Sequence, residues 1–281
     1  MTSRASPTVR RRRLGIELRR LREQAGITID TVADRSGFSS SKVSRIETGH
    51  IGASPRDVRD ILAIYGVHGG DADELVQVAR QARQKGWWHL YGPILSGAYI
   101  GLEAEATASK AYEVQLVPGL LQTPEYAECV IRAAKPDIHA EELARRVELR
   151  MKRQALLTQE EALLLWVVLD EAAIRRVVGS ARVMRGQLEH LVRATGLPNV
   201  TVQVLAFAAG AHAGMDGTFS ILEYTGTPDL DVVFAENAAG GLFLEKEEEL
   251  QRYKAIFSEL CASALSPEQS AVVLADRARE F

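Results

Sequence analysis

The chain is poor in the residues that would place it outside the ordinary globular proteins. Its 281 residues hold two cysteines, Cys129 and Cys261, far apart and with no CxxC spacing. Neither a disulfide framework nor a zinc site is signalled, and both are expected as reduced core thiols. The longest wholly apolar run, residues 162–169, falls far short of the roughly 18 residues that suggest a membrane span. No membrane helix or membrane partner is expected. The N-terminal arginines are not followed by an apolar stretch, which argues against a secretory signal and for the cytoplasm. HxxxH, HExxH, GxSxG and a phosphate loop ending in Lys-Ser/Thr are all missing, so no cofactor or metal is expected and an enzyme is the minority reading.

What is present is a balance of 46% apolar and 25% charged residues over a length sufficient for two domains. The net charge of −3 hides a division. Residues 1–86 carry 16 Lys+Arg and 10 Asp+Glu, a balance of +6, and the remainder carries 18 and 27, a balance of −9. A basic head on an acidic body points to a polyanion partner for the head alone.

The head reads as five helices. Leu14, Leu18, Leu21 and Ala25 recur on one helical face over residues 9–25. Gly26 ends that helix, and Thr28 is placed to cap a second over residues 29–36. Gly37 breaks the run, a third helix covers residues 39–48 with Val43 and Ile46 on one side, and Gly49 closes it. Ser54-Pro55-Arg56-Asp57 opens a fourth with a capping-box pattern, burying Val58, Ile61, Leu62 and Tyr65. A fifth is expected over residues 71–85.

Counted from Ile29, a small residue stands fifth (Ala33), glycine ninth (Gly37), and apolar residues fourth, fifteenth and eighteenth (Val32, Val43, Ile46). Ala33 suits a close helix approach, Gly37 the positive φ of a tight turn, and the aliphatics a crossing of two helices. These residues, with Ser40-Ser41-Lys42-Val43-Ser44-Arg45-Ile46-Glu47-Thr48-Gly49, resemble the xenobiotic-response-element type of lambda-repressor-like helix-turn-helix domain. The resemblance implies that the third helix enters the major groove of an operator in double-stranded DNA. Carried over by position, Ser40, Ser41 and Arg45 face base edges, and Arg45 is the strongest reader because a guanidinium can bond guanine in bidentate fashion. Thr28, Ser39 and Lys42 hold phosphate or cap helices. The run Arg10-Arg11-Arg12-Arg13 is a further phosphate candidate, or else a solvated face. Because one such unit reads a half-site, a homodimer is expected.

The aromatic junction of residues 87–101 contains Trp87 and Trp88, read either as a sensing pocket or as a hydrophobic plug. The body, residues 102–281, is expected as an α+β domain with about five strands. Its pattern predicts a helix over residues 102–112, another opened by Thr123-Pro124, and a third over residues 140–157. Strands are expected over residues 163–169, 200–205, 219–224, 230–235 and 241–244. A helix over residues 179–195 lies between the first two, and two helices end the chain, the last opened by Ser266-Pro267-Glu268-Gln269. Ala271, Val272 and Leu274 on that last helix could form a dimer seam but fit an intramolecular core better. Arg146, Arg150 and Arg153 form a basic stripe that could hold an anionic ligand or partner, or be locally paired. His212 and Asp216, among three glycines in residues 210–217, are the best catalytic-looking or ligand-binding pair, with a plain turn as the alternative.

The phrases Val117-Pro118-Gly119-Leu120-Leu121-Gln122-Thr123, Arg150-Met151-Lys152-Arg153-Gln154, Leu169-Asp170-Glu171-Ala172, Gln187-Leu188-Glu189-His190-Leu191 and Gly210-Ala211-His212-Ala213-Gly214-Met215-Asp216-Gly217 resemble a large group of actinobacterial regulators. In that group a helix-turn-helix of the same type is fused to an effector-like domain of uncharacterised biochemistry. The resemblance implies a transcriptional regulator, often paired with a small separately encoded protein and sometimes described as antitoxin-like. With an acidic body, a small basic protein is the expected partner, and a small-molecule effector is the alternative signal. Such a regulator is associated with the nucleoid when bound to DNA.

Overall fold

A computed structural model describes residues 7–82, 97–225, 230–237 and 240–281. The chain divides into two compact units at Glu105 and Ala106. The first holds helices α1 (Pro7–Gln24), α2 (Ile29–Ser36), α3 (Ser40–Glu47), α4 (Pro55–Tyr65), α5 (Gly70–Gln81) and α6 (Gly97–Glu103). Their boundaries follow local chemistry. Thr28 accepts from the Thr31 amide, Ser39 from the Lys42 amide, and Ser54 with Asp57 closes a reciprocal capping box. Gly37 ends α2 at φ 73°, a left-handed conformation that a side chain would strain.

The core of this unit is built from Leu14 and Leu18 of α1, Val32 and Ala33 of α2, Val43 and Ile46 of α3, and Val58, Ile61 and Leu62 of α4, all buried. Val76 and Ala79 complete it from α5, and Phe38 packs at its margin. The fifth helix starts one residue before its expected position, and its expected end lies outside the described residues. Trp87 and Trp88 also lie there.

The second unit is α+β, with a six-stranded mixed sheet in the order β3-β2-β1-β4-β5-β6. The strands are β1 (Ala108–Glu113), β2 (Leu164–Asp170), β3 (Val200–Leu205), β4 (Phe219–Glu223), β5 (Val232–Asn237) and β6 (Gly240–Leu244). β1, β2 and β3 run parallel, and β1–β4, β4–β5 and β5–β6 pair antiparallel. The parallel half requires helical crossovers. These are α7 (Pro124–Ala134) with α8 (Ala140–Arg153), then α9 (Glu171–Arg175) with α10 (Ala181–Ala194). Helices α11 (Glu247–Ser263) and α12 (Pro267–Glu280) end the chain.

Residues 108–112, expected within a helix, instead form the central strand of this sheet. Ala108-Ser109-Lys110-Ala111-Tyr112-Glu113 has little intrinsic strand preference, but β2 pairs with all of it on one side and β4 with Ala108 to Tyr112 on the other, which gives its backbone partners. The five expected strands become six for this reason. One sheet face packs Tyr112, Val168, Leu205, Phe219, Ile221 and Val233 against Leu250, Phe257 and Leu260 of α11. Leu274 of α12 is fully buried within the unit, whereas Val272 is 59% exposed. Both cysteines are free and half-buried rather than fully enclosed. Among the described residues no helix is long and apolar enough to cross a membrane.

Candidate functional site

The exposed part of α3 is prepared by what its other side touches. Gly15 of α1 lies so close that an added Cβ would stand 2.6 Å from the carbonyl oxygens of both Ile46 and Glu47. The absence of a side chain lets α1 seat directly on the C-terminal turn of α3. Arg22 of α1 adds a bidentate pair to Glu47, with Nε to Oε1 at 2.8 Å and Nη2 to Oε2 at 3.0 Å, and the Tyr65 hydroxyl donates to Glu47 at 3.3 Å. Burial and the neighbouring Glu47 carboxylate raise the Tyr65 hydroxyl well above its ordinary pKa, so it remains a donor. With Val43 and Ile46 enclosed, α3 has one possible outward face.

That face carries Ser40, Ser41 and Arg45, all exposed. Ser40 Oγ donates to Asp30 Oδ1 of α2 at 2.6 Å. Among the described residues, the Ser41 hydroxyl and the Arg45 guanidinium make no hydrogen bond or ion pair. Ser39 is committed to the N-cap, and Lys42 places its ammonium 3.4 Å from the Phe38 ring centre and 3.6 Å from Asp57. Thr28 caps α2 and its hydroxyl also meets that of Thr31. The arginine run lies wholly inside α1 and is divided by its helical period. Arg13 is exposed, Arg10 and Arg11 are half-buried, and Arg12 is 5% exposed with its backbone and Cγ against Gly49. Arg12 therefore packs against the α3–α4 connection rather than on an open cationic surface.

In the second unit the carboxyl ends of β1, β2, β3 and β5 point to one edge of the sheet. On the α11 side, the Tyr112 hydroxyl stands 3.4 Å from Asp170 Oδ2 and 3.5 Å from His212 Nε2, with His212 and Asp170 3.9 Å apart. The ring of Tyr112 also meets His212 edge-on. Burial, with Asp170 beside it, pushes the Tyr112 hydroxyl well above its ordinary pKa and keeps it neutral. These are long contacts that fix a loop more than they move a proton. An added Cβ at Gly214 would fall 2.5 Å from the Tyr112 ring, so the glycine lets the 210–217 turn lie flat on it. His212 thus turns toward the sheet, while Asp216 is exposed and makes no hydrogen bond with His212.

On the opposite face, Glu113 ends β1. Its carboxyl is raised from its ordinary value to about 8, first by burial, then by the Glu236 carboxylate, with Arg150 acting in the other direction. The basic stripe of α8 divides as well. Arg146 pairs with Glu142 at 2.8 Å, Arg150 donates to Gln122 Oε1 at 2.6 Å, and Arg153 is 6% exposed, its guanidinium beside Gly119. Gln122 and the wholly buried Gln187 then hold the 117–123 segment through bonds to the Val117 and Leu121 carbonyls and from the Thr123 amide. Two of the three arginines are therefore part of a folded loop. Tyr112, Glu113 and Asp170 were not among the residues singled out from sequence; the available signal was acidic residues at the ends of apolar or alternating segments. Among the described residues no group of three or more His, Cys, Asp or Glu is placed to hold a metal ion.

A family model described as a domain of unknown function (DUF5753) matches residues 96–276. The chain belongs to the DUF5753 family. A helix-turn-helix domain model matches residues 13–75, the span from α1 into α5. The searches of curated proteins and of solved structures gave no match. This DUF5753 chain thus combines a helix-turn-helix domain, which suggests a DNA-binding regulator, with a C-terminal domain whose family description names no activity. The family match begins at residue 96, so α6 lies within it although it packs on α1 in the first unit.

Proposed function

We propose that this DUF5753 protein is a sequence-specific DNA-binding transcriptional regulator that acts as a homodimer and receives its signal through the C-terminal domain. The observation that carries the reading is the outward face of α3. Ser41 and Arg45 are exposed and unpartnered among the described residues, on a helix whose other side is locked by Gly15, Arg22 and Glu47. A rigid helix presenting an unpaired guanidinium suits base reading in the major groove, where a bidentate contact discriminates by about 1–3 kcal/mol. The first unit's basic balance supplies sequence-independent attraction to phosphate, to which Arg13, Arg10 and Arg11 contribute.

The acidic balance of the second unit favours two kinds of input over nucleic acid: a small basic protein, as in an antitoxin-like pair, or a small effector. The protein would occupy the cytoplasm and, when bound, the nucleoid. Genomic footprinting with the full chain tests the reading. A two-fold repeated operator with half-sites about one helical turn apart is expected, and Arg45→Ala should weaken it more than random duplex. Equal affinity for all duplexes, or equal losses from Arg45→Ala on both, would overturn it.

A further inference from the structure

A small cavity opens beside the 210–217 turn, between the start of β4, the end of β5 and α11. Its volume is about 170 Å³, close to the ~150 Å³ that accepts benzene in an engineered core. The inner wall is apolar. Phe219 and Tyr253 meet edge-on at 4.9 Å between ring centres, and Ile256 and Ala235 continue the surface. The rim is charged, with Asp216 from the turn and Arg252 from α11, whereas the Glu236 side chain alternates onto the other face of the sheet, beside Glu113. Neither Asp216 nor Arg252 makes a hydrogen bond or ion pair among the described residues, and in particular they do not pair with each other across the opening.

We propose that this cavity binds a small zwitterion, a free α-amino acid with an apolar side chain. Asp216 takes its ammonium group, Arg252 takes its carboxylate, and Phe219, Tyr253 and Ile256 cover its side chain. Opposite charges held apart around one opening are satisfied together only by a ligand carrying both signs. A cation alone leaves Arg252 unmatched, and an anion alone leaves Asp216 unmatched. The volume limits the enclosed apolar part to about six non-hydrogen atoms, the benzene scale. The wall is also held in place. The Val114 amide donates to Thr218 Oγ1 at 3.2 Å, and Gly214 is fixed against Tyr112, so the opening is pre-organised rather than assembled by the ligand.

The proposal goes beyond DNA binding and is read out without DNA, so either can fail alone. Isothermal titration of the full chain with L-valine, L-leucine, L-isoleucine, L-methionine and L-phenylalanine is the test, with isoamylamine and 4-methylpentanoate as leucine analogues lacking one charge each. At least one amino acid should bind, and each of the corresponding single-charge analogues should bind about tenfold or more weakly. Arg252→Gln should remove the advantage of the amino acid over its amine, and Asp216→Asn its advantage over its acid. These positions are exposed, and unchanged circular dichroism verifies folding. Failure of all five amino acids to bind, equal binding of the analogues, or unchanged binding by Arg252→Gln would overturn the proposal.

Discussion

Arg22 and Glu47 meet as a buried two-point ion pair that joins α1 to the last residue of α3. Glu47 is 5% exposed and Arg22 9%, so removal of either leaves the other as an uncompensated buried charge. Such losses cost about 3–5 kcal/mol, whereas replacing both by apolar residues of similar volume is often neutral. Arg22→Ala and Glu47→Ala should each lower the denaturant midpoint of the first unit sharply, and Arg22→Met with Glu47→Leu should restore much of it. If either single substitution leaves the midpoint unchanged, the pair does not hold α3.

Gly15→Ala tests the same contact sterically. The new methyl would meet backbone oxygens of α3 at 2.6 Å, and backbone cannot rotate away as a side chain can. Overpacking of this kind costs about 1–3 kcal/mol, and the helices must separate to admit it. Loss of both thermal stability and operator affinity is expected; wild-type behaviour in both would show that α1 and α3 tolerate a wider spacing.

The divided arginine run predicts unequal effects on DNA. Arg13→Ala should lower affinity for specific and random duplex alike and reduce the salt slope by about one unit, the amount for one phosphate contact. Arg12→Ala should act through folding, because its side chain is buried against the α3–α4 connection. Binding titrations across salt concentrations, with thermal melts alongside, separate the two. A changed salt slope with unchanged stability for Arg12→Ala would contradict this assignment.

Glu113 gives a pH prediction with a definite sign. Its folded pKa is raised to about 8 from an ordinary 4.5, so between these values the folded chain holds a proton that the unfolded chain has released. Its contribution to stability is therefore fully present below about pH 4.5 and lost as pH rises through about 8. Glu113→Gln keeps the neutral hydrogen-bonding shape and cannot ionise. The variant should melt higher than the parent at pH 8 and show a smaller fall in melting temperature between pH 5 and 8. Parallel melting curves over that range would show that the carboxyl titrates normally.

The first unit was readable because its signals are local. Caps at Thr28, Ser39 and Ser54, the glycine at position 37 and the spacing of Val32, Val43 and Ile46 each act within a few residues of where they stand. Those interactions are much the same in an isolated helix as in the folded chain, so sequence alone determined the helix-turn-helix and the face that α3 presents. Most strands of the second unit announced themselves by alternation or by continuous apolar runs.

The tertiary structure alone decided the rest. Residues 108–113 became a central strand because two neighbouring strands pair with them, a long-range choice that overrides weak local preference. Arg10 to Arg13 form one charge run in sequence, but the helical period places Arg12 inside and Arg13 outside. Arg146, Arg150 and Arg153 share a stripe yet separate into a surface pair and two loop-holding groups. Glu113 meets Glu236, and Asp216 meets the walls formed by β5 and α11, only because the carboxyl ends of distant strands share one edge. Burial and charge proximity are properties of that edge, not of any one segment, which is why the charged cavity was visible only after folding.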